Sequence, residues 1–160
     1  MSTINKKKEK VKEIVKRLKN EYPDSKCSLI YDNPFQLLVA TILSAQCTDE
    51  RVNKVTEKLF SKYPNAKSFS SLSEKQIGKL IYSTGFYNNK AKNIKKMSDI
   101  VYNSYNGEIP NVIEELILLP GVGRKTANVV LGNVFDVASL VVDTHVTRIS
   151  NLLKLVNTKN

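Results

Sequence analysis

Apolar residues recur at helical spacing along most of this chain. In the first segment, apolar positions 11, 14, 15, 18 and 22 form one stripe on a surface that is otherwise rich in Lys and Glu, and Pro23 follows it. This pattern predicts an amphipathic helix that ends before Pro23. Asn33-Pro34 then starts a second helix, whose positions 35–43 are apolar on nearly every face. We expect this second helix to lie at the centre of the core.

Start and stop signals divide the rest of the chain into six further amphipathic helices. Their predicted starts are Thr48, Ser73, the residues just before Ala91, Asn111, Arg124 and Asp143. Gly85 is a candidate left-handed cap after the fourth predicted helix, and positions 111–114 have the pattern of a capping box. No strand pattern competes, although positions 139–142 are compatible with extended backbone. The sequence therefore predicts an all-α fold.

The composition indicates a folded protein with a basic surface. At 160 residues, 41% of them hydrophobic, the chain suits one domain or two small lobes. Its 25 Lys and Arg against 15 Asp and Glu give a net charge of +10, which favours a polyanion or an anionic membrane surface as partner. Residues 1–20 contribute +6 of that charge. Their lysine run is explained equally well by a solvated terminus and by phosphate contacts.

Several classes of protein are not expected from this sequence. No stretch of about 18 apolar residues exists, so we expect no membrane-spanning helix. The N-terminus is charged and lacks the apolar core of a signal peptide, which predicts a cytoplasmic protein. The two cysteines, Cys27 and Cys47, are too few for a disulfide framework or a closed metal site. We therefore predict no metal ligands.

A glycine turn between two apolar helical patterns is the strongest functional signal. The run from Leu119 to Thr126 reads Leu-Pro-Gly-Val-Gly-Arg-Lys-Thr, which predicts a helix–hairpin–helix at about 112–134. Glycines allow backbone conformations closed to other residues, and the next helix offers free N–H groups to a phosphate. The predicted DNA-binding residues of this turn are Gly121, Val122, Gly123 and Arg124. Such a contact is independent of base sequence. The alternative is a plain helix–helix turn with a glycine cap.

Several blocks of residues resemble the helix–hairpin–helix DNA glycosylase superfamily, most closely its endonuclease III family. The blocks are Asn33-Pro34-Phe35, Leu43 to Asp49, Gly85 to Asn88, Gly107 to Pro110 and Leu119 to Val130. The resemblance covers about Ser28 to Leu153 and implies a helical bundle of this glycosylase type with an incomplete second lobe. A six-helix glycosylase domain is then expected at 23–138. Segment 1–22 is expected to be an N-terminal helix of the second lobe, and 139–160 to be the start of that lobe.

The resemblance also implies an activity. It implies a base-excision-repair glycosylase and AP lyase that removes oxidised pyrimidines from double-stranded DNA and cleaves abasic sites by β-elimination. An alternative is a catalytically incompetent remnant that still binds DNA. Relatives that remove adenine generally lack the lysine at position 125, so Lys125 argues against that activity. Relatives that remove 8-oxoguanine keep it, and only substrate assays exclude them.

Lys125 and Asp143 are the predicted catalytic residues. The resemblance makes Lys125 the amine that attacks the sugar C1′ and forms a Schiff base, which requires a neutral amine. The alternative role of Lys125 is a phosphate-binding cation beside Arg124. Asp143 suits the N-cap of the helix that follows it, and the resemblance adds stabilisation of positive charge on the sugar. His145, the only histidine, is expected to line the pocket or hold a backbone group.

Three further residues are assigned to opening the duplex. A target base must leave the stack before an amine can reach its sugar. The resemblance gives Gln46, in a loop between helices, the role of filling the gap that the base leaves. Phe86 matches the position of the family's apolar wedge, although core packing behind a helix cap is the alternative. Asp49 is a possible residue of the base pocket, and helix capping explains it nearly as well.

The family's iron–sulfur cluster has no counterpart in this sequence. Endonuclease III enzymes usually end in a loop of four cysteines that binds a [4Fe–4S] cluster, and that cysteine spacing is missing here. We therefore expect no cofactor in this chain and a C-terminally truncated member of the family. Its incomplete lobe leaves apolar positions 11–18 and 152–155 without cover. Since each large apolar side chain left in water forfeits about 1.5–3 kcal/mol, we expect self-association through these faces.

Overall fold

The computed structural model describes residues 3–158 and confirms the all-α fold class, since every regular element in that range is helical. The helices are α1 (Thr3–Glu21), α2 (Pro34–Leu43), α3 (Asp49–Lys62), α4 (Ala66–Ser70), α5 (Glu74–Leu80), α6 (Tyr87–Ser104), α7 (Ile113–Leu116), α8 (Arg124–Val134) and α9 (Thr144–Leu152). A 3₁₀ turn at Tyr82–Thr84 precedes α6. Residues 1, 2, 159 and 160, at the outer ends of the predicted segments 1–22 and 139–160, lie outside the described residues.

The chain divides into two compact units. The larger unit is Ser28–Val141 and contains α2 to α8, and the smaller unit combines Met1–Cys27 with Val142–Asn160 and contains α1 and α9. Within the smaller unit, the lysine side chains of α1 hold the segment after α9. Lys7 Nζ donates to the Leu155 carbonyl at 3.1 Å and Lys10 Nζ donates to the Leu153 carbonyl at 2.7 Å. The assignment of these segments to the two lobes of a glycosylase stays a prediction.

Helix α2 is the centre of the larger unit, as its uniformly apolar sequence predicts. The side-chain oxygen of Asn33 accepts from the Gln36 N–H at 3.0 Å and caps the helix, while Pro34 occupies its first turn. The buried apolar residues of α2 are Phe35, Leu37, Leu38, Val39, Ala40, Ile42 and Leu43. Helix α2 packs against α3, α6 and α8. Since apolar side chains cover it on every side, α2 fixes the positions of the helices that carry the candidate site.

Helix α6 is the second organising element of the larger unit. Its buried stripe of Ala91, Ile94, Met97 and Val101 follows the spacing of one helical face. It packs against α4 and α5 on one side and also against α2. Helix α6 therefore connects the central helix with the short helices that precede the 3₁₀ turn.

Three details of the predicted helices are wrong. Helix α4 was not predicted; an Asn65 and Ser68 capping box starts it, and its buried Phe69 meets Phe35 edge-to-face at 5.3 Å. The expected capping box at positions 111–114 does not form, because Val112 is the N-cap of α7 and that helix has only four residues. Gly85 has a positive φ of 68° but follows the 3₁₀ turn, so it does not cap α5.

Apolar side chains of the smaller unit are exposed in the described residues. Val11 and Leu18 of α1 are 41% and 52% exposed, and Leu152 of α9 is 70% exposed. The expected self-association through these faces stays a prediction. None of the helices in residues 3–158 combines the length and the apolar character that crossing a membrane requires.

Candidate functional site

The turn between α7 and α8 has the form of a hairpin with an open helix end. The Val122 N–H donates to the Leu119 carbonyl at 3.0 Å and the buried Val122 side chain anchors the turn. Gly123 is the N-cap of α8, and its carbonyl accepts from Ala127 at 2.9 Å. A glycine has no side chain to accept from the first N–H groups of the helix. These groups and the positive end of the helix dipole therefore face any ligand that approaches the turn.

The two glycines of the hairpin differ in conformation and in surroundings. Gly121 has a φ of +80°, and a Cβ atom built on it would lie 2.9 Å from Cβ of Asn93 in α6. Gly123 has a φ of −91° and a ψ of 173°, and a Cβ atom there would meet nothing within 4 Å. Only Gly121 therefore uses the conformational freedom that glycine allows. Gly123 leaves open the space that a side chain would occupy.

Lys125 lies in the first turn of α8, directly after Arg124, and both side chains are exposed. Within the larger unit, no hydrogen bond or ion pair engages the amino group of Lys125. Lys125 therefore carries its amine on the same helical turn as the open N–H groups. The roles of Lys125 and Arg124 stay predictions.

Asp143 and His145 belong to the smaller unit. Asp143 caps α9, as predicted, because its Oδ1 atom accepts from the Val146 N–H at 2.7 Å. Its main-chain carbonyl accepts from the N–H and the hydroxyl of Thr147, both at 2.9 Å. The carboxylate is therefore held in a fixed orientation. His145 is exposed in the first turn of α9. The catalytic role of Asp143 and the pocket role of His145 stay predictions.

Gln46 and Phe86 are exposed residues of the larger unit with unusual backbones. Their φ angles are 54° and 47°, in the left-handed region that residues with a side chain rarely adopt. Each such residue costs about 1–3 kcal/mol, and Asn106, Asp136 and Lys154 share this conformation elsewhere in the described residues. Phe86 is 66% exposed, so the core-packing interpretation of this side chain is wrong. An aromatic ring in water on a strained backbone is available to contact a base.

Asp49 is held by a serine and does not cap its helix. The N-cap of α3 is Thr48, whose hydroxyl accepts from the Arg51 N–H at 3.4 Å. The Asp49 carboxylate, in the first turn, accepts from the hydroxyl of Ser28. The capping interpretation of Asp49 is therefore wrong, and its place in a base pocket stays a prediction.

Lys90 is a buried cation that the sequence analysis missed. Only 6% of this residue is exposed, and its ammonium donates to the carbonyls of Leu43 and Thr84, both at 2.8 Å. Burial lowers the pKa of Lys90 below the ordinary lysine value, and the nearby Cys47 acts weakly in the opposite direction. A signal was present in the sequence. Lys90 lies four residues before Ile94, on the apolar stripe of α6, where a charged side chain is unusual.

The lowered pKa of Lys90 predicts a pH-dependent stability. Between the pKa of the folded protein and the ordinary value of 10.5, the unfolded chain binds the proton more tightly, so the free energy of unfolding rises with pH in that range. The Lys90→Met variant lacks this contribution. Urea unfolding of both proteins from neutral pH upward should give a wild-type minus variant difference that increases toward pH 10.5. A constant or decreasing difference contradicts the prediction.

The cysteines of this chain do not fit an iron–sulfur cluster. The described residues contain no group of three or more His, Cys, Asp or Glu side chains that could hold a metal ion. Cys27 and Cys47 are half-buried free thiols in different units, whereas a [4Fe–4S] cluster takes four thiolates.

Comparison with known proteins gives consistent matches. The family model described as HhH-GPD superfamily base excision DNA repair protein matches residues 39–160. A Synechocystis endonuclease III is 54% identical over 150 residues, which are 93% of this chain and 68% of that protein. The chain thus spans about two thirds of the length of this relative.

Two solved structures have the same fold. They are described as a non-covalent endonuclease III–DNA complex and as a trapped endonuclease III–DNA covalent intermediate with an estranged adenine. Each is 45% identical to this chain with a TM-score of 0.84, and the match covers 94% of this chain and 68% of the other. The match therefore includes most of this chain and leaves about a third of each relative without a counterpart in it.

Proposed function

Because the chain belongs to the endonuclease III family of the HhH-GPD superfamily of base excision DNA repair proteins, we propose that it is a DNA glycosylase with AP lyase activity. Its proposed substrates are oxidised pyrimidines and abasic sites in double-stranded DNA in the cytoplasm. The proposal concerns the residues present here, since the relatives are longer.

The main support for this proposal is the position of Lys125. An exposed amine without a partner in its own unit follows a glycine turn whose N–H groups suit a phosphate. A phosphate held at the hairpin would bring the adjoining deoxyribose beside the amine. This geometry supports nucleophilic attack at a sugar carbon better than simple charge neutralisation, because Arg124 already supplies a cation at the same turn.

The proposed reaction follows from amine chemistry. The Lys125 nitrogen bonds to C1′ and the bond from C1′ to the damaged base breaks, so that the base leaves with the electron pair and takes up a proton. Opening of the sugar ring then gives a Schiff base between the nitrogen and C1′. This iminium acidifies the C2′ hydrogen, and removal of that proton expels the 3′ phosphate from C3′. Water finally hydrolyses the Schiff base and regenerates the amine.

Asp143 is proposed to assist this reaction from its capping position. A carboxylate that accepts the Val146 N–H in a fixed orientation needs no reorganisation when positive charge develops on the sugar. The same group would accept or return a proton during base departure. His145, exposed in the first turn of α9, and Asp49, in the first turn of α3, keep the binding roles proposed for them from the sequence.

Gln46 and Phe86 are proposed to open the duplex. Extruding a base from the stack costs a few kcal/mol. Side chains that enter the resulting gap offset part of this cost. The exposed Phe86 ring offers a face for stacking on a neighbouring base, and stacking of this kind contributes about 1–3 kcal/mol per base. Gln46 offers an amide that hydrogen-bonds the base left without a partner.

Borohydride reduction with abasic duplex DNA tests the proposed function. Reduction of a Schiff base gives a stable covalent complex between the protein and DNA, visible by denaturing electrophoresis. We expect this complex, and release of oxidised pyrimidine from a lesion-containing duplex. A folded protein that binds the duplex without any adduct would support the alternative of a DNA-binding remnant without catalysis.

DNA binding is predicted to depend strongly on salt. The contact at the hairpin is with phosphates, and a basic surface that neutralises about four of them gives a slope of about −3.6 for log K against log [salt]. Fluorescence anisotropy with an uncleavable abasic duplex at several salt concentrations measures this slope. Affinity independent of salt would mean that the basic surface does not face the DNA.

A further inference from the structure

We propose that Lys90 is a positioning residue that holds the segment of Gln46 and the segment of Phe86 together, so that both enter the DNA at one base pair. The inference rests on the proposed function, because it assigns a purpose to the relative position of the two duplex-opening residues.

The contacts of Lys90 join both segments at one atom. Its Nζ atom donates hydrogen bonds to the carbonyls of Leu43 and Thr84, each at 2.8 Å. Leu43 lies three residues before Gln46, and Thr84 lies two residues before Phe86. The two oxygens therefore lie within two hydrogen-bond lengths of each other. The main-chain N–H of Lys90 also donates to the Phe86 carbonyl at 3.2 Å. One residue thus holds Phe86 through its backbone and Gln46's segment through its side chain.

Both segments are short and closely tied to these contacts. After α2, the Cys47 N–H donates to the Ser44 carbonyl at 3.1 Å, which closes a turn around Gln46. Before Phe86, the Thr84 N–H and hydroxyl both donate to the Ile81 carbonyl, at 2.9 and 2.8 Å. Movement at the anchored carbonyls would therefore be transmitted to Gln46 and Phe86 over only two or three residues.

The same helix also contacts the DNA-binding hairpin. Asn93 lies three residues after Lys90 and seven after Phe86, so these positions share one face of α6. Its side chain lies against Gly121, where any added Cβ atom would be 2.9 Å away. Helix α6 consequently sets the positions of the hairpin, of Phe86 and, through Lys90, of the Gln46 loop.

Stability alone does not account for a lysine at this position. Burying an ammonium costs free energy, and the partners of Lys90 are carbonyls, without a compensating carboxylate. An apolar side chain in an apolar site is commonly as stabilising or more so. The bond to Leu43 also places a cation at the C-terminal end of the α2 dipole. A pure helix-capping role would explain that bond but not the second bond, to the Thr84 carbonyl in the segment before Phe86.

A base-unstacking assay with the Lys90→Met variant tests the inference without relying on catalysis. The probe is a duplex with a tetrahydrofuran abasic analogue, which cannot form a Schiff base, and 2-aminopurine opposite it. We expect wild-type protein at saturation to raise the 2-aminopurine fluorescence strongly. Lys90→Met should bind this duplex through the hairpin with similar affinity and lose most of the fluorescence rise. Base removal from a lesion duplex should slow by about tenfold or more, whereas cleavage of single-stranded abasic DNA, which needs no opening, should remain near the wild-type rate.

Lys95→Met is the matched control. Lys95 also lies in α6 and donates to a main-chain carbonyl, that of Ser70, at 2.8 Å, but that segment carries no duplex-opening residue. This variant should unstack the base as the wild type does. Should Lys90→Met fail to fold, Lys90→Gln replaces it, because its shorter amide spans only one of the two carbonyls.

Three other outcomes would contradict the positioning role of Lys90 or the opening of the duplex. Full unstacking by the folded Lys90 variant overturns the positioning role and leaves the proposed function intact. Equal losses in the Lys90 and Lys95 variants reveal a general loss of structure, which also overturns it. Wild-type protein that binds the duplex without any fluorescence rise would contradict the proposed opening of the duplex by Gln46 and Phe86, and this inference would fail with it. The proposed glycosylase and lyase activity is tested separately by borohydride trapping.

Discussion

Lys125→Ala is expected to abolish the borohydride-trapped complex with abasic DNA. Alanine at this position has no amine, so no Schiff base forms and the β-elimination step loses the iminium that acidifies C2′. The cleavage rate should fall by at least about 10³-fold, as for the loss of a nucleophile in other enzymes. Denaturing electrophoresis after reduction measures the adduct, and single-turnover cleavage of abasic duplex measures the rate.

Arg124→Ala is the matched control for this experiment. Arg124 occupies the preceding position in the first turn of α8 and has an equally exposed side chain. Its loss should weaken DNA binding and reduce the magnitude of the slope of log K against log [salt] by about 1. The adduct should still form at saturating protein. If Lys125 is only a phosphate-binding cation, the two variants will behave alike. An adduct that persists in folded Lys125→Ala would refute the assignment of the nucleophile.

The parts of the fold that depend on local pattern could be predicted from the sequence. The bounds of α2 follow from Asn33-Pro34 and a continuous apolar run, and those of α8 follow from Gly123 and the spacing after it. In both helices, cap, propensity and apolar face agree, so no tertiary contact has to override the local preference. The cap of α9 by Asp143 was predictable for the same reason.

The elements that depend on distant contacts could not be predicted in this way. Helix α4 has five residues, too few to display a period, and the packing of Phe69 on Phe35 fixes it. The N-terminus of α7 lacks its capping box because Val112 takes the cap position in an extended conformation. In each segment, the local signal was either too short or outweighed by the packing of neighbouring helices.

The sequence proposes the residues of the candidate site but not their arrangement. A sequence indicates that Gln46 and Phe86 are candidates, yet nothing in it reveals that one buried ammonium links the segments that carry them. Lys90 is 47 positions from Leu43, and the hydrogen bond exists only because α6 packs against α2. Periodicity places Lys90 on the buried face, but the partner of a buried charge is a property of the tertiary structure.

The hairpin glycines provide the sharpest test of the proposed DNA contact at this turn, because Gly121→Ala and Gly123→Ala should fail in different ways. In Gly121→Ala, the positive φ costs about 1–2 kcal/mol, and the new Cβ atom forces Asn93 and α6 to move. Unfolding experiments should reveal a stability loss of at least that size, equivalent to roughly 2–4 °C in Tm for each kcal/mol. DNA binding should weaken as a consequence.

Gly123→Ala should cost only about 1 kcal/mol, the difference between glycine and alanine at a helix N-cap, because its φ is −91° and a Cβ atom there meets nothing within 4 Å. The added methyl group would nevertheless occupy the space above the N–H groups of α8, where the phosphate is proposed to lie. Affinity for the abasic duplex should therefore fall at temperatures where the variant remains fully folded. Wild-type affinity in Gly123→Ala would exclude close approach of a phosphate to this helix end, and with it the contact that brings the sugar to Lys125.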